Sequence, residues 1–214
     1  MPRARSRRSP VPALFFAGAA LACGFSPPSL ADETWSCQIS PAERETVAEP
    51  ESGAKTIFVT TSPASDSNLY FHDRSWLSDE SMLVFTSDRA GRHEPFGYVE
   101  RTGEIVRLGR AERDPIGGLT CGRRANVVYG VRGNDIILQR VEVAAGAAGT
   151  PGAGPTQVTV RETKIASLPK HGGLRSALNE SSDGRYLSVG YVSPDNPEVH
   201  RIAAIEVETT VVLR

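Results

Sequence analysis

Short apolar runs, separated by Gly, Asp, Asn, Pro and Ser, recur along the chain from Lys55 onward. They are rich in β-branched and aromatic residues, and such runs bounded by turn-forming residues are typical of β-strands. No window shows the 3.6-residue apolar period of a capped amphipathic helix, so the pattern predicts an all-β fold. Strands are predicted at Thr56–Thr61, Met82–Thr86, Phe96–Val99, Ile105–Leu108, Val127–Val131, Ile136–Val143, Val158–Leu168, Tyr186–Val192, Ile202–Val207 and Val211–Leu213.

These strands fall into a unit that occurs three times. The stretch from Trp76 (WLSDESMLVFT) aligns with the stretch from Asn179 (NESSDGRYLSV), and the stretch from Leu119 (LTCGRRANVVY) is a weaker copy. Each copy reads as strand, polar turn and strand, and continues into two further strands. Four antiparallel strands repeated about every 40–45 residues are the sequence pattern of a β-propeller. The second unit also carries an Ala/Gly/Pro-rich insert at 144–155, which predicts a flexible hairpin tip.

The repeat predicts a partial propeller over residues 54–214. Its blades lie at about 69–110, 114–169 and 174–214, and the strand at 56–61 is expected to be a closing strand of the ring. Closed propellers have at least about four blades, so three blades predict an incomplete ring and a truncated chain. A β-sandwich of the same strands is the alternative. It accounts for the number of strands but leaves the repeat unexplained.

One turn departs from the repeat. The third unit has Asp183-Gly184 between its first two strands, and glycine readily takes the positive φ that this kind of turn uses. The first unit has Asp79-Glu80 in the same place. A glutamate takes a positive φ only at a cost in free energy, and the first turn can survive the loss of glycine if it changes type.

The first 31 residues have the pattern of a secretory signal peptide. Four arginines precede an apolar stretch from Val11 to Phe25, and the small-x-small sequence Ser29–Ala31 marks a cleavage site before Asp32. Two variants stay open. A lipobox would leave Cys23 acylated as a lipid anchor, and the Arg7-Arg8 pair resembles a twin-arginine signal. In each case the protein is exported across the inner membrane, so we expect it in the periplasm.

The charge balance and hydrophobicity of the chain argue against some classes of binding partner. The chain has 214 residues with 24 Lys and Arg against 25 Asp and Glu. Without the four arginines of residues 1–31, 20 basic side chains face 25 acidic ones, a net charge of −5. This mild acidity argues against nucleic acid as the main partner. No second apolar segment reaches spanning length, so no membrane span is expected after the signal. Residues 32–53 are polar and predict an irregular lead-in.

Removal of the signal leaves two cysteines, Cys37 and Cys121. An oxidising compartment permits a disulfide between them, and two free thiols are the alternative. Neither cysteine belongs to a CxxC pair or has a histidine at metal-ligand spacing, so the sequence predicts no metal site there.

The first unit carries the family resemblance. Its sequence FTSDRAG at 85–91, followed by TGE at 102–104, resembles the repeat of the periplasmic Tol-system translocation protein, a TolB-like propeller. The added YFHD at 70–73 makes it similar to the oligogalacturonate lyases, propellers that cut short pectin fragments. The likeness covers about 55–214 and is strongest over 69–108.

The lyase resemblance implies metal-dependent β-elimination of acidic oligosaccharides. It also implies a divalent metal, manganese, held by His and Gln side chains of later blades. Those positions have no counterpart in this sequence, so no catalytic residue and no cofactor of its own is assigned. The chain alone is expected to be inactive. The Tol-like resemblance implies the alternative, a non-catalytic periplasmic protein that binds an envelope protein or a glycan, and a degenerate fragment without activity is a third possibility.

Four residues are candidates for substrate binding. His72 and Asp73 precede the inner strand of the first blade, where propellers often bind ligands, and the alternative is that they only hold a neighbouring blade. Arg89 and Arg92 follow a strand of the same blade and have the guanidinium geometry that suits a sugar carboxylate. Their alternative role is that of solvated loop charges. No GxSxG sequence is present, so a serine nucleophile elbow is excluded.

Overall fold

The computed structural model describes residues 32–144 and 156–207, and these form fifteen β-strands. The all-β prediction is confirmed. The predicted signal peptide with Cys23, all but the first residue of the insert, and the predicted strand Val211–Leu213 lie outside the described residues. Within the described ranges, no helix is long and apolar enough to cross a membrane.

The strands are numbered in chain order. They are β1 (Glu33–Ser36), β2 (Gln38–Ser40), β3 (Glu45–Ala48), β4 (Lys55–Phe58), β5 (Asp66–Asn68), β6 (Met82–Ser87), β7 (Glu94–Val99), β8 (Ile105–Arg107), β9 (Gly117–Cys121), β10 (Val127–Arg132), β11 (Asp135–Ala144), β12 (Gln157–Ser167), β13 (Asn179–Glu180), β14 (Tyr186–Val192) and β15 (His200–Glu206).

Three antiparallel sheets correspond to the three predicted blades. The first blade has the strand order β2-β8-β7-β6-β5, the second β1-β12-β11-β10-β9 and the third β13-β14-β15. Within each blade, strands that follow one another in sequence are hydrogen-bonded neighbours, as in a propeller blade built outward from its inner strand. The inner strands of the three blades are therefore β5, β9 and β13.

Residues 32–53 differ from the predicted irregular lead-in, because β1, β2 and β3 all lie there. β1 pairs with β12 and β2 pairs with β8, so this short segment adds the outermost strand to two blades in succession. Trp35, Cys37 and Ile39 alternate with exposed residues, and their side chains pack on the apolar cluster between these blades. Period-two burial of this kind favours an extended strand.

The strand predicted at 56–61 is β4, and it does not close a ring. β4 pairs with β3 as a separate two-stranded hairpin, and every residue of both strands is exposed. The chain after β4 instead covers part of the first blade, where Val59 packs beside Phe85 and Phe96.

Apolar side chains fill the two seams between successive blades. The first seam joins the first and second blades and includes Leu77, Met82, Leu119 and Val160. The second seam joins the second and third blades, and its buried residues are Val127, Tyr129, Val131, Ile136, Leu138, Leu168, Leu178, Leu187, Val189 and Val207. Burial of one such large apolar side chain stabilises a fold by about 1.5–3 kcal/mol, so these seams are the main source of stability.

Backbone hydrogen bonds tie the inner edges of the blades together. The N–H of Cys121 in the second blade donates to the carbonyl of Arg74 in the first, at 2.9 Å. The N–H of Leu178 in the third blade donates to the carbonyl of Gly118 in the second, also at 2.9 Å. These bonds satisfy inner-strand groups that would otherwise be unpaired at the edge of each sheet.

The predicted disulfide is not formed, because Cys37 and Cys121 are both free thiols. Cys37 follows β1 at one edge of the second blade, and Cys121 lies on β9 at the opposite edge. Four strand spacings separate these edges, roughly 19 Å, whereas a disulfide requires Cα atoms within about 7 Å. Burial raises the pKa of each thiol to about 12.

The turn at Glu80 accommodates the loss of glycine without a change of φ. Glu80 has a φ of +61°, close to the +67° of Gly184 at the equivalent place in the third blade. The neighbouring Asp79 fixes the turn, because its side chain accepts hydrogen bonds from Ser81 N–H at 3.0 Å and from Asn126 of the second blade at 2.6 Å. The glutamate therefore carries backbone strain that glycine would not.

We predict that Glu80→Gly stabilises the protein. Relief of the left-handed strain exceeds the entropy that glycine adds to the unfolded chain, for a net gain of about 1 kcal/mol. The melting temperature should rise by roughly 2–4 °C. Gly184→Ala should lower it, because alanine would bring the same strain to the equivalent position. A lower melting temperature for Glu80→Gly would contradict the equivalence of the two turns.

Candidate functional site

A loop interrupts the inner strand of the first blade. β5 pairs with residues 85–87 of β6, and the strand resumes only where Trp76 forms a bridge with Leu83. Residues 69–75 between these points form what we term the inner-edge loop. Leu69 anchors the start of the loop in the first seam, where it is 6% exposed. The carbonyls of Arg74 and Ser75 anchor its end, since they accept hydrogen bonds from Cys121 and Val84.

Two of the predicted residues, His72 and Asp73, lie in the inner-edge loop. The N–H of Asp73 donates to the carbonyl of Tyr70 at 2.7 Å and closes a turn. The Asp73 carboxylate lies near Asn179 on the inner strand of the third blade, and its Oδ2 atom is buried without a hydrogen-bond partner. Burial raises the pKa of Asp73, and the nearby Asn179 and His72 oppose this only in part. His72 is exposed and contacts the rings of Tyr70 and Phe71.

A groove of about 1160 Å³ adjoins the loop on the open face of the first blade. Its ionisable lining residues are four acids and two bases, which gives a net charge of −2. They are Asp73, Asp79, Glu80, Glu100, Arg74 and Arg101. Since like charges repel, this groove disfavours an extended polyanion.

Arg89 lies away from the inner-edge loop, at the far end of β6. Its guanidinium forms ion pairs with Glu43 at 2.7 Å and with Asp66 at 2.8 Å, and only 12% of its side chain is exposed. It also lies over the rings of Phe85 and Phe96. These contacts hold the segment before β3 on the first blade, so Arg89 is engaged in structure instead of presenting its guanidinium to a ligand.

Arg92 is also engaged within the protein. It donates to Glu94 at 3.2 Å and to the carbonyl of Arg110 at 2.8 Å, and it also bonds the carbonyl of Arg113. Glu94 is 1% exposed and pairs in addition with Arg107. The structure thus brings together neither Arg89 nor Arg92 with His72 and Asp73.

A buried glutamate that sequence reasoning missed lies at the inner end of the second seam. Glu180 is 6% exposed and accepts a hydrogen bond from the N–H of Arg123 at 2.7 Å. Burial raises its pKa, and the nearby Arg123, Arg74 and Tyr129 oppose this only in part. In the sequence it stands among polar turn residues, so no signal distinguished it from a solvated charge.

Glu162 on β12 is also buried, but its pKa is shifted in the direction opposite to that of Glu180. It is 4% exposed, and burial acts to raise its pKa. Hydrogen bonds from Arg132 at 2.5 and 3.0 Å and from Gln139 at 3.0 Å reverse this effect and lower the pKa below its usual range. Hydrogen bonds and positive charges therefore outweigh the cost of burying the Glu162 carboxylate, whereas they do not outweigh it for Glu180.

The described residues contain no cluster of side chains that suits the manganese ion implied by the lyase resemblance. In residues 32–144 and 156–207, no group of three or more His, Cys, Asp or Glu side chains is placed to hold a metal ion. A metal site requires about three or four converging ligands. The side chains of this part of the chain therefore do not fit that metal, and no chemical step is derived through it.

Comparison with known proteins reveals similarity in fold alone. No protein-family model and no curated protein matches the chain. Among solved structures, an oligogalacturonate lyase from Vibrio parahaemolyticus is similar, with 14% identity and a TM-score of 0.59 over 82% of this chain and 47% of that chain. An oligogalacturonate lyase in complex with manganese has 14% identity and a TM-score of 0.59 over 81% of this chain and 46% of that chain.

This likeness confirms the predicted propeller-type fold. The chain spans about half the length of the solved structures that it matches. The predicted kinship with the lyases is supported as a relationship of fold, and sequence identity of 14% carries it no further.

We predict opposite effects when the two buried glutamates are replaced. Because burial raises the pKa of Glu180 in the folded protein, its protonated form stabilises the fold below the pKa of about 4.3 that it has in the unfolded chain. This contribution to stability is lost as the pH rises. The lowered pKa of Glu162 gives a contribution present at neutral pH and lost as pH falls. At pH 8, Glu180→Gln should therefore raise the melting temperature, whereas Glu162→Gln should lower it. Equal losses in the two variants would contradict these assignments.

Proposed function

We propose that the protein acts on short acidic oligosaccharides of the pectin type, as an oligogalacturonate-lyase-like propeller. The observation that carries this proposal is the fold likeness to two oligogalacturonate lyases over about four-fifths of the chain. The YFHD sequence at 70–73 supports it, because these residues form the inner-edge loop where three blades meet. We further propose that the protein works in the periplasm after cleavage of residues 1–31.

β-Elimination of a uronate sets the chemical requirements. The proton α to the carboxylate must be removed by a base, and the charge of that carboxylate must be neutralised by a cation. The described residues contain no metal donor set that could supply this cation. We therefore propose that this part of the chain binds and orients the sugar and does not by itself complete the elimination.

Charge and exposure direct the sugar to the inner-edge loop and not into the groove. The groove has a net charge of −2 and repels uronate groups. His72 is exposed in the loop and can bond a sugar hydroxyl or carboxylate. The N–H of Asp73, next to His72, donates to the carbonyl of Tyr70, which sets the position of the loop before any ligand arrives.

A second function, that of a non-catalytic binding protein for an envelope partner, is favoured by the third blade. Ile202 on β15 is 83% exposed, and Tyr186 on the adjacent β14 is 38% exposed. Exposed apolar groups on an uncovered sheet face suit a protein surface better than a charged sugar.

We predict that the chain binds trigalacturonate and does not cleave it. Calorimetry should detect binding of trigalacturonate in preference to a neutral galactose trimer, and no ultraviolet absorbance of an unsaturated uronide should develop with or without Mn²⁺. His72→Ala should weaken binding about five- to tenfold, since one typical hydrogen bond contributes on the order of 1 kcal/mol net.

His200→Ala is the matched control, because His200 is an exposed histidine on β15, in the third blade. It should leave the affinity unchanged. Failure of the wild-type protein to bind any galacturonate oligomer would overturn the proposed function. Capture of an envelope protein through the Ile202 face, abolished by Ile202→Asp, would favour the second function.

A further inference from the structure

The inner-edge loop presents three consecutive aromatic rings to solvent. Tyr70 is 59% exposed and Phe71 is 72% exposed. The ring centroids of Tyr70 and Phe71 are 4.3 Å apart, and those of Phe71 and His72 are 4.0 Å apart. The ring planes are tilted by 47° and 46° in these two pairs, so the rings pack against one another as one exposed cluster, which we term the aromatic platform (Tyr70, Phe71 and His72).

Contacts made by the residues on both sides of the platform keep its three rings exposed to solvent. Leu69, directly before it, is buried in the first seam. The N–H of Asp73, directly after the platform, donates to the carbonyl of Tyr70, and the carbonyl of Arg74 accepts from the N–H of Cys121. A free loop would gain stability by burying these apolar rings. The contacts on both sides hold the loop in place with the rings exposed.

We propose that the aromatic platform is a stacking site for one pyranose ring of a uronic acid. Phe71, the more exposed of the two rings, would cover the apolar C–H face of the sugar, with Tyr70 packed beside it, while His72 bonds the groups at the edge of the sugar. Arg74, two residues after His72 in the same loop, is half-buried and would supply a positive charge to the sugar carboxylate. This site rests on the proposed function and identifies the residues that would recognise the sugar.

The size of the platform favours a sugar over a protein. Aromatic side chains each contribute at most about 150–250 Å² of contact. A stable protein interface buries about 800 Å² on each partner, which is more than three such rings supply even at full contact, so the platform is too small to hold one alone. The negative groove beside it further restricts the ligand, because a second uronate placed there would meet Asp79, Glu80 and Glu100.

The test combines Phe71→Ala with a control at Phe58, which is 50% exposed on β4 outside the loop. Calorimetric titration with trigalacturonate should show an affinity loss of about tenfold for Phe71→Ala, as expected for loss of one aromatic contact. Phe58→Ala should bind like the wild type, and Phe71→Trp should retain binding. In NMR spectra, the aromatic ring signals of Tyr70 and Phe71 should shift on addition of the sugar.

The outcomes separate the two proposals. Equal trigalacturonate affinity in the wild type and Phe71→Ala would overturn the platform and leave the proposed function standing. Ring signals of Phe71 that shift with a neutral galactose trimer, but not with trigalacturonate, would overturn both the uronic acid as the ligand of the platform and the proposed acidic substrate. No shift and no binding with either sugar would overturn both. Loss of sugar binding in Phe58→Ala as well would also contradict the platform, because the effect would not be local.

Discussion

Face-to-face burial of apolar strands is the interaction on which the rest of this structure depends. Each blade alone is a small sheet with apolar residues on both faces, and it becomes stable only when a neighbour covers one of them. The second blade is covered on both sides, by the first seam and by the second. This packing also determines where function can lie, because apolar side chains fill the seams and leave the edges and ends of the blades accessible.

The inner edge differs from the other accessible surfaces because three blades meet there. Backbone bonds link Arg74 to Cys121 and Gly118 to Leu178, and the Asp73 side chain reaches Asn179. An interruption of the first inner strand places the aromatic platform at this junction. By contrast, the arginines at the far end of the first blade hold the N-terminal segment, as the Arg89 pairs with Glu43 and Asp66 show.

The sequence predicts the strands of the repeat well. It does not predict the short edge strands or which side chains pair with one another. Strands such as β6 and β11 are long apolar runs between turn residues, and they lie within one residue of the predicted bounds. β1 and β2 are only four and three residues long, and their alternation is too short to stand out from a polar segment. The roles of Arg89 and the cysteines depend on topology, since partners 23 and 46 residues from Arg89 are brought to it only by sheet pairing.

Amide hydrogen exchange at Cys121 and Leu178 tests the central claim most directly. Both N–H groups belong to the inner-strand region of their blades and donate only across the seams, to Arg74 and Gly118. If the blades pack face to face as described, both amides should be protected nearly as strongly as those in the middle of β10 and β11. Exchange at the rate of a solvent-exposed edge strand would contradict the packing of the three blades and the position of the inner-edge loop with it.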